Sequence, residues 1–188
     1  DPRSAILPVI LEQNQFERTW SGAMWQKLKE GTGCYKVVWD KDKLNGLGDV
    51  AVERTNILNL YWEPGVSDIQ RSRYLFHTEL MDRDLLEETY PQCRDKLKGD
   101  LFAAKHYSYD DNVRTDGKCT VVEVYYHVGR VLHYCKFVGD IVLYATENET
   151  EAPTRQVTQE GIDGPVTAEI ATGRPVAERG LYDHGKYP

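Results

Sequence analysis

Apolar residues recur at Phe16, Trp20, Met24 and Leu28, a four-residue step that gathers them on one helical stripe and predicts a long N-terminal helix over residues 7–30. Gly31 then supplies the permissive backbone that commonly ends a helix. Trp20 and Trp25 allow two readings, a stacking platform for bases or sugars, or a core in which Trp20 is buried and Trp25 partly covers it. The packing reading is the stronger for large aromatic side chains. Residues 34–39 and 49–54 read as two strands, joined by a polar loop over 40–48 with Asn45-Gly46 at its turn. Residues 73–79 form a further strand. Asp82 follows as a helix cap, with Leu85 and Leu86 as the buried side of a short helix and Pro91 just past its end. Residues 93–112 are mixed and charged and contain a loop.

The clearest local geometry lies in residues 119–145. Gly129-Arg130 and Gly139-Asp140 are spaced to make two consecutive two-residue hairpin turns, which predicts a three-stranded antiparallel meander. If Val128 faces Val131, Glu123 falls opposite Lys136, Val122 opposite Phe137 and Val124 opposite Cys135. Across the second turn Phe137 meets Val142 and Cys135 meets Tyr144. The Val122, Val124 and Phe137 face is nearly all apolar and is expected to be the core side. Glu123, Lys136 and His127 then point to solvent or to a neighbouring subunit. Residues 147–180, rich in Thr, Glu, Gly and Pro with few large apolar side chains, read as a long polar loop or arm. The fold class is α+β: a long N-terminal helix, an antiparallel or mixed sheet, a short helix and the meander. Four segments follow, 1–118 with helix and hairpin, 119–146 as the meander, 147–180 as the arm, and 181–188 as the start of a truncated strand.

The 188 residues suffice for one domain or two small ones and bury roughly 70% of the unfolded surface. At 40% hydrophobic and 28% charged the composition is that of a soluble globular chain. There is no run of about 18 apolar residues and no basic-then-apolar leader. The chain begins without Met and stops at Lys186-Tyr187-Pro188, where a new strand is due, so it is expected to be a piece of a longer protein. A net charge of −7 argues against a surface that holds DNA by neutralising phosphates. Cys34, Cys93, Cys119 and Cys135 are scattered without a CxxC, as in a reducing compartment with free thiols.

Catalytic patterns fail one by one. Gly31-x-Gly33 starts like a dinucleotide fingerprint, but Lys36 stands where the last Gly belongs and the glycines follow a helix rather than precede one. No GxxxxGK[ST], GxSxG or HExxH occurs. Asp40 and Asp42 precede Asn45-Gly46 as in a calcium loop, yet Leu44 and Asn45 occupy the fifth and sixth positions and Ala51 the twelfth. His127, His133, Cys119 and Cys135 are dense enough for a zinc site, but the register sends His133 and Cys135 to one face and His127 and Cys119 to the other. Asp183-His184 could be an acid-base pair, but adjacent residues rarely face each other and a turn is the better reading. Glu87-Glu88 reads as a solvated helix face, and Asn148-Glu149-Thr150 as a chance glycosylation match.

One long-range order of motifs remains. It runs through Gly31-Thr32-Gly33, Lys36 to Asp40 (KVVWD), Asp49 to Arg54 (DVAVER), Trp62-Glu63-Pro64, Asp68-Ile69 and Arg73-Tyr74. It continues through residues 81–91 and 120–148 and ends in Gly180-Leu181-Tyr182-Asp183-His184-Gly185-Lys186-Tyr187-Pro188. In this order and spacing the chain resembles the portal proteins, or head-tail connectors, of tailed bacteriophages over most of its length. The resemblance also explains Asp183-His184 as a turn before a strand, makes residues 147–180 an insertion, and makes residues 1–118 part of a wing-like domain, with the adjoining stem or clip region as the other portal part the chain could cover.

What the resemblance implies is a structural function. Portal subunits close a ring of about twelve copies at one capsid vertex, through which double-stranded DNA is driven in and later leaves without sequence-specific contact. The implied partners are other portal subunits, terminase, capsid or scaffold proteins and tail connectors. The implied location is the virion, with assembly in the bacterial cytoplasm from a phage or prophage gene. No cofactor, metal or catalytic residue is expected, because ATP hydrolysis belongs to the terminase. Candidate subunit contacts, chosen for expected exposure, are Lys41, Asp42 and Lys43 in the hairpin loop, Glu123 and Lys136 on the outer face of the meander, and the arm over 156–170. Two alternatives stay open. A β-rich tail or adhesion module would assemble as a trimer, and a metal-dependent hydrolase or nuclease would show magnesium-dependent activity on DNA or nucleotides.

Overall fold

The computed structural model describes residues 2–97, 117–161 and 164–188. Most of the loop expected within residues 93–112 lies outside the described residues. The fold is α+β, with antiparallel sheets of two, five and two strands. The chain divides into two compact units, Asp1–Leu60 with Pro188, and Tyr61–Tyr187.

In the first unit the helical span is two helices, α1 (Pro2–Gln13) and α2 (Phe16–Glu30), rather than one. The chain turns at Gln15, whose φ of 46° and ψ of 47° are left-handed. Asn14, the residue before it, is bonded across to the hairpin. Its Nδ2 donates to Val50 O at 2.9 Å and to Ile10 O at 2.8 Å, and its Oδ1 accepts from Val52 N at 3.2 Å. The side-chain amide thus satisfies one carbonyl and one N–H of a strand, fixing the chain to β2 at the point where it turns. That strand is β2 (Asp49–Thr55), which pairs with β1 (Cys34–Asp40) so that Val37 faces Val52 and Trp39 faces Val50. Between them α3 (Lys43–Gly46) is a single turn with Leu44 and Asn45 in the left-handed region. α2 ends as expected, with Gly31 N–H bonded to Lys27 O at 2.9 Å. Its stripe does not form a core. The side of α2 that is buried carries Ala23, while Trp20, Trp25 and Leu28 are exposed. Among the described apolar side chains of this unit only Ala23 and Ala51 are buried.

The second unit is organised around one sheet, β3 (Leu60–Trp62), β4 (Tyr74–Asp82), β5 (Lys118–Val128), β6 (Val131–Val138) and β7 (Ile141–Ala145), in that order. Both two-residue turns form, with Gly129 and Gly139 at φ of 65° and 59°. The first hairpin has the expected register, Glu123 against Lys136 and Val122 against Phe137. The second carries an irregularity between Lys136 and Phe137, so Cys135 meets Ala145 and Tyr144 meets Lys136. A bulge of this kind leaves no mark in the spacing of the two turns.

The sheet faces are the reverse of the expectation. The core is built on Cys119, Val121 and Val138, with Leu143 from β7, Leu86 from α4 (Arg83–Thr89), and Cys93 and Leu97 beyond it. Glu123 shares that face and is only 7% exposed, whereas Val142, across from Phe137 on the other face, is exposed. Both faces of this meander carry apolar side chains, so composition could not decide which one α4 covers. Asp82 does occupy the cap position of α4, but its side chain makes no cap bond and pairs instead with Lys118 Nζ at 3.2 Å. Leu86 is buried and Leu85 is exposed.

The segment read as a polar arm contains a regular ribbon, β8 (Thr154–Gly161) paired with β9 (Gly164–Ala171). Thr172 N–H closes its base on Pro153 O at 2.8 Å. α5 (Val176–Arg179) follows, and residues 181–188 form turns and irregular backbone rather than a strand. Among the described residues no helix is long and apolar enough to cross a membrane.

Candidate functional site

Within the second unit, two of the motifs that stand furthest apart in the sequence meet in space. The Trp62-Glu63-Pro64-Gly65 turn is closed by Trp62 Nε1 donating to Val66 O at 2.7 Å. Arg73 then clamps Glu63, with Nη2 at 2.6 Å from Oε1 and Nε at 3.2 Å from Oε2. This two-pronged bond holds the Glu63 carboxyl below its ordinary range. Ser72, buried between them, receives Glu63 N–H on its Oγ and donates to Tyr74 O.

The terminal motif locks onto this loop. Tyr187 donates its hydroxyl to Ser72 O at 2.7 Å. Its backbone pairs with the Gln70 side chain in both directions, at 3.0 and 3.1 Å. His127 of β5 lies beneath, with Nδ1 at 3.0 Å from the Tyr187 hydroxyl and Nε2 at 2.8 Å from Gly185 O. A carbonyl only accepts, so Nε2 carries the proton that reaches Gly185. Burial, and secondarily the charge of Glu63, push the Tyr187 phenol up to about 12. Gly180 is demanded twice. Its φ of 82° and ψ of −178° are a glycine conformation, and a Cβ there would sit 2.5 Å from Leu132 O, beside the 2.7 Å bond from Leu181 N to that same oxygen.

Asp183 and His184 do not pair with each other. Asp183 lies 3.8 Å from Arg179, while His184 Nδ1 accepts from Lys186 N–H and its ring stacks on Tyr182.

A second cluster surrounds Glu123. Tyr134 donates its hydroxyl to Oε1 at 2.7 Å, Lys136 Nζ stands 3.9 Å from the same oxygen, and His77 Nδ1 is 2.9 Å from Oε2. Lys136 also lies over the Tyr90 ring, 5.9 Å from its centroid. Burial first, then the Glu123 charge, drive the Tyr134 phenol far upward, so it stays a donor. An acid, an imidazole, a phenol and an amine in contact are the materials of proton transfer, but both carboxylate oxygens are already engaged. The cluster reads as a satisfied polar network that lets a charge sit on the core side of the sheet.

The residues chosen for exposure therefore fare unequally. Lys41 and Asp42 are exposed, as expected. Lys43 is tied back, its Nζ donating to Asn14 Oδ1 at 2.8 Å and to Val50 O at 3.0 Å. Glu123 and Lys136 are not a surface pair, because the covered face of the sheet is theirs and their polar groups are turned on each other. Sequence reasoning missed the His127, Tyr187 and Ser72 lock, whose members lie up to 115 positions apart. Its one available signal was a pair of aromatic or imidazole residues inside motifs already singled out.

For metal chemistry the register does what the sequence implied. His127 and Cys119 fall on one face of the sheet and His133 and Cys135 on the other. Among the described residues no group of three or more His, Cys, Asp or Glu side chains is placed to hold a metal ion. Burial raises the Cys34, Cys93 and Cys135 thiols, moving them away from the reactive thiolate. An open concavity of about 720 Å³ lies where α1 meets α2, lined by Pro8, Leu11, Phe16 and charged Glu12, Glu17 and Arg18, with no nucleophile or imidazole on it. No family model matches the chain, and no curated protein sequence matches it.

Proposed function

We propose that this chain is a structural part of a phage portal subunit, one of the copies that close a ring around the DNA channel at a capsid vertex. The observation that supports the reading most is the motif order, joined to the way the Trp62-Glu63-Pro64-Gly65 loop and the terminal Tyr187 segment hold each other. Residues that make a resemblance for mechanical reasons should bond to one another rather than converge on a substrate, and these do. In this reading the protein is not an enzyme. DNA passes an acidic subunit, net −7, without being gripped, and terminase, capsid or scaffold proteins and tail connectors dock on the assembled ring. Cyclic closure needs two different complementary surfaces on each subunit.

The test is to express the complete open reading frame that encodes this chain, image the product by electron microscopy and measure its mass in solution. A ring with an opening wide enough for duplex DNA is expected. A compact monomer or dimer at several salt concentrations would sink the reading, and a trimer would favour the tail or adhesion module.

A further inference from the structure

Among the described residues, eleven of the sixteen exposed large hydrophobic side chains belong to Asp1–Leu60. Seven of these eleven lie on two different surfaces, one on α2 and one on the hairpin. On α2, Trp20, Met24 and Leu28 follow one another every fourth residue, with Trp25 beside Leu28, so helix geometry alone makes them one continuous ridge. Leu28 is 79% exposed and Trp25 61%. On the hairpin, Val37 and Trp39 share a face of β1 by alternation, opposite the face that carries buried Ala51. The adjoining loop adds Leu44, held at φ 52° despite its side chain, and Leu47, 82% exposed. Leu44 thus keeps a conformation that is costly for a residue with a Cβ while its side chain stays exposed.

We infer that these two surfaces are the two halves of one contact between copies of this chain, the α2 ridge of one copy seated on the β1 face and loop of the next. The areas fit. Taking about 100–150 Å² for each half-exposed Trp or Leu, each surface offers about 400 Å² of apolar area. A ridge against a hairpin face then buries about 800 Å² of apolar surface. Since apolar atoms make up a little over half of an interface, the whole contact reaches about 1,400 Å², within the range of specific complexes. A single patch of about 400 Å² would be ordinary for a monomer. The charge also permits self-contact, because residues 1–60 carry eight basic and eight acidic side chains and the net −7 lies wholly in the remainder. Two unlike surfaces on one chain join head to tail, the geometry that closes rings. The inference rests on the ring reading for closure alone; the contact itself follows from the exposed residues.

The experiment uses the complete reading frame in three forms, unsubstituted, Leu28→Lys and Val37→Lys, each followed by native mass spectrometry with circular dichroism as the check on folding. Each single variant should be monomeric, since every copy lacks the same half. Mixed one to one, the two should form a heterodimer and nothing larger, because one copy keeps a good ridge and the other a good hairpin face. That rescue also proves both variants folded. If either variant alone assembles like the unsubstituted protein, or the mixture stays monomeric, the inference is overturned. A ring that survives both substitutions overturns the contact and leaves the portal reading standing. An unsubstituted protein that forms open chains or dimers, dissolved by each substitution and rescued by mixing, supports the contact and sinks the portal reading.

Discussion

The two units solve the problem of stability in opposite ways. Tyr61–Tyr187 holds a layered core in which Leu86, Val121 and Val138 are fully buried between a five-stranded sheet and α4. Asp1–Leu60 buries two alanines and leaves its tryptophans in water. What holds it together locally is polar, the Asn14 amide bonded to β2 and to Lys43. The difference separates what makes a fold from what makes a contact. Apolar residues at helical or strand spacing appear in both units, but only the second turns them inward.

Substitutions should break the units differently. The largest expected effect is Leu86→Ala, which empties a fully buried site and should cost about 2–5 kcal/mol in denaturant unfolding. Leu28→Ala in the first unit should change stability by no more than about 0.5 kcal/mol and show itself in assembly instead. Next comes Gly180→Ala, where the disallowed backbone and the clash with Leu132 O combine for about 2–4 kcal/mol, measured as a drop in melting temperature. In the first unit the damaging change should be polar. Asn14→Leu takes the acceptor from Val52 N–H and one of two donors from Val50 O, which keeps Lys43 Nζ, and should cost about 1–3 kcal/mol, seen as faster amide exchange confined to the hairpin.

A smaller effect appears at alkaline pH. The Tyr187 phenol titrates at about 12 in the folded protein and near 10 when unfolded, so between those values the folded state holds a proton that the unfolded state has released. Its contribution is complete below pH 10 and is lost as pH rises through 12. Tyr187→Phe should flatten that part of the stability curve and cost about 1 kcal/mol at neutral pH. Smallest is the Glu63–Arg73 clamp, whose Arg73 side chain is largely open to solvent. Because the Glu63 carboxyl is held below its ordinary range, its contribution is present at neutral pH and fades on acidification, and Glu63→Gln should remove that slight dependence.

Features governed by neighbours in the chain were readable in the sequence. The turns at Gly129 and Gly139, the register that follows, and the helix end at Gly31 are all set within a few residues. So was the separation of His127 from His133 across the sheet. The buried face was not, because Val122, Val124 and Phe137 look as much like a core as Cys119, Val121 and Val138, and the choice depends on where α4 lands. Asn14, beside the break at Gln15, bonds to a strand 36 residues away, and the lock at Tyr187 depends on Ser72 and His127. In the ribbon, Val157 and Ala168 alternate with Thr158 and Thr167, but small side chains make that period quiet.

The first unit is expected to complete its apolar burial against another copy. Hydrogen–deuterium exchange on the assembled protein, compared with the Leu28→Lys monomer, measures this directly. Protection should rise in residues 16–40 on assembly and stay unchanged across residues 118–145, whose core is already complete. Equal protection of residues 16–40 in both forms, with the difference falling instead on the five-stranded sheet, would contradict it.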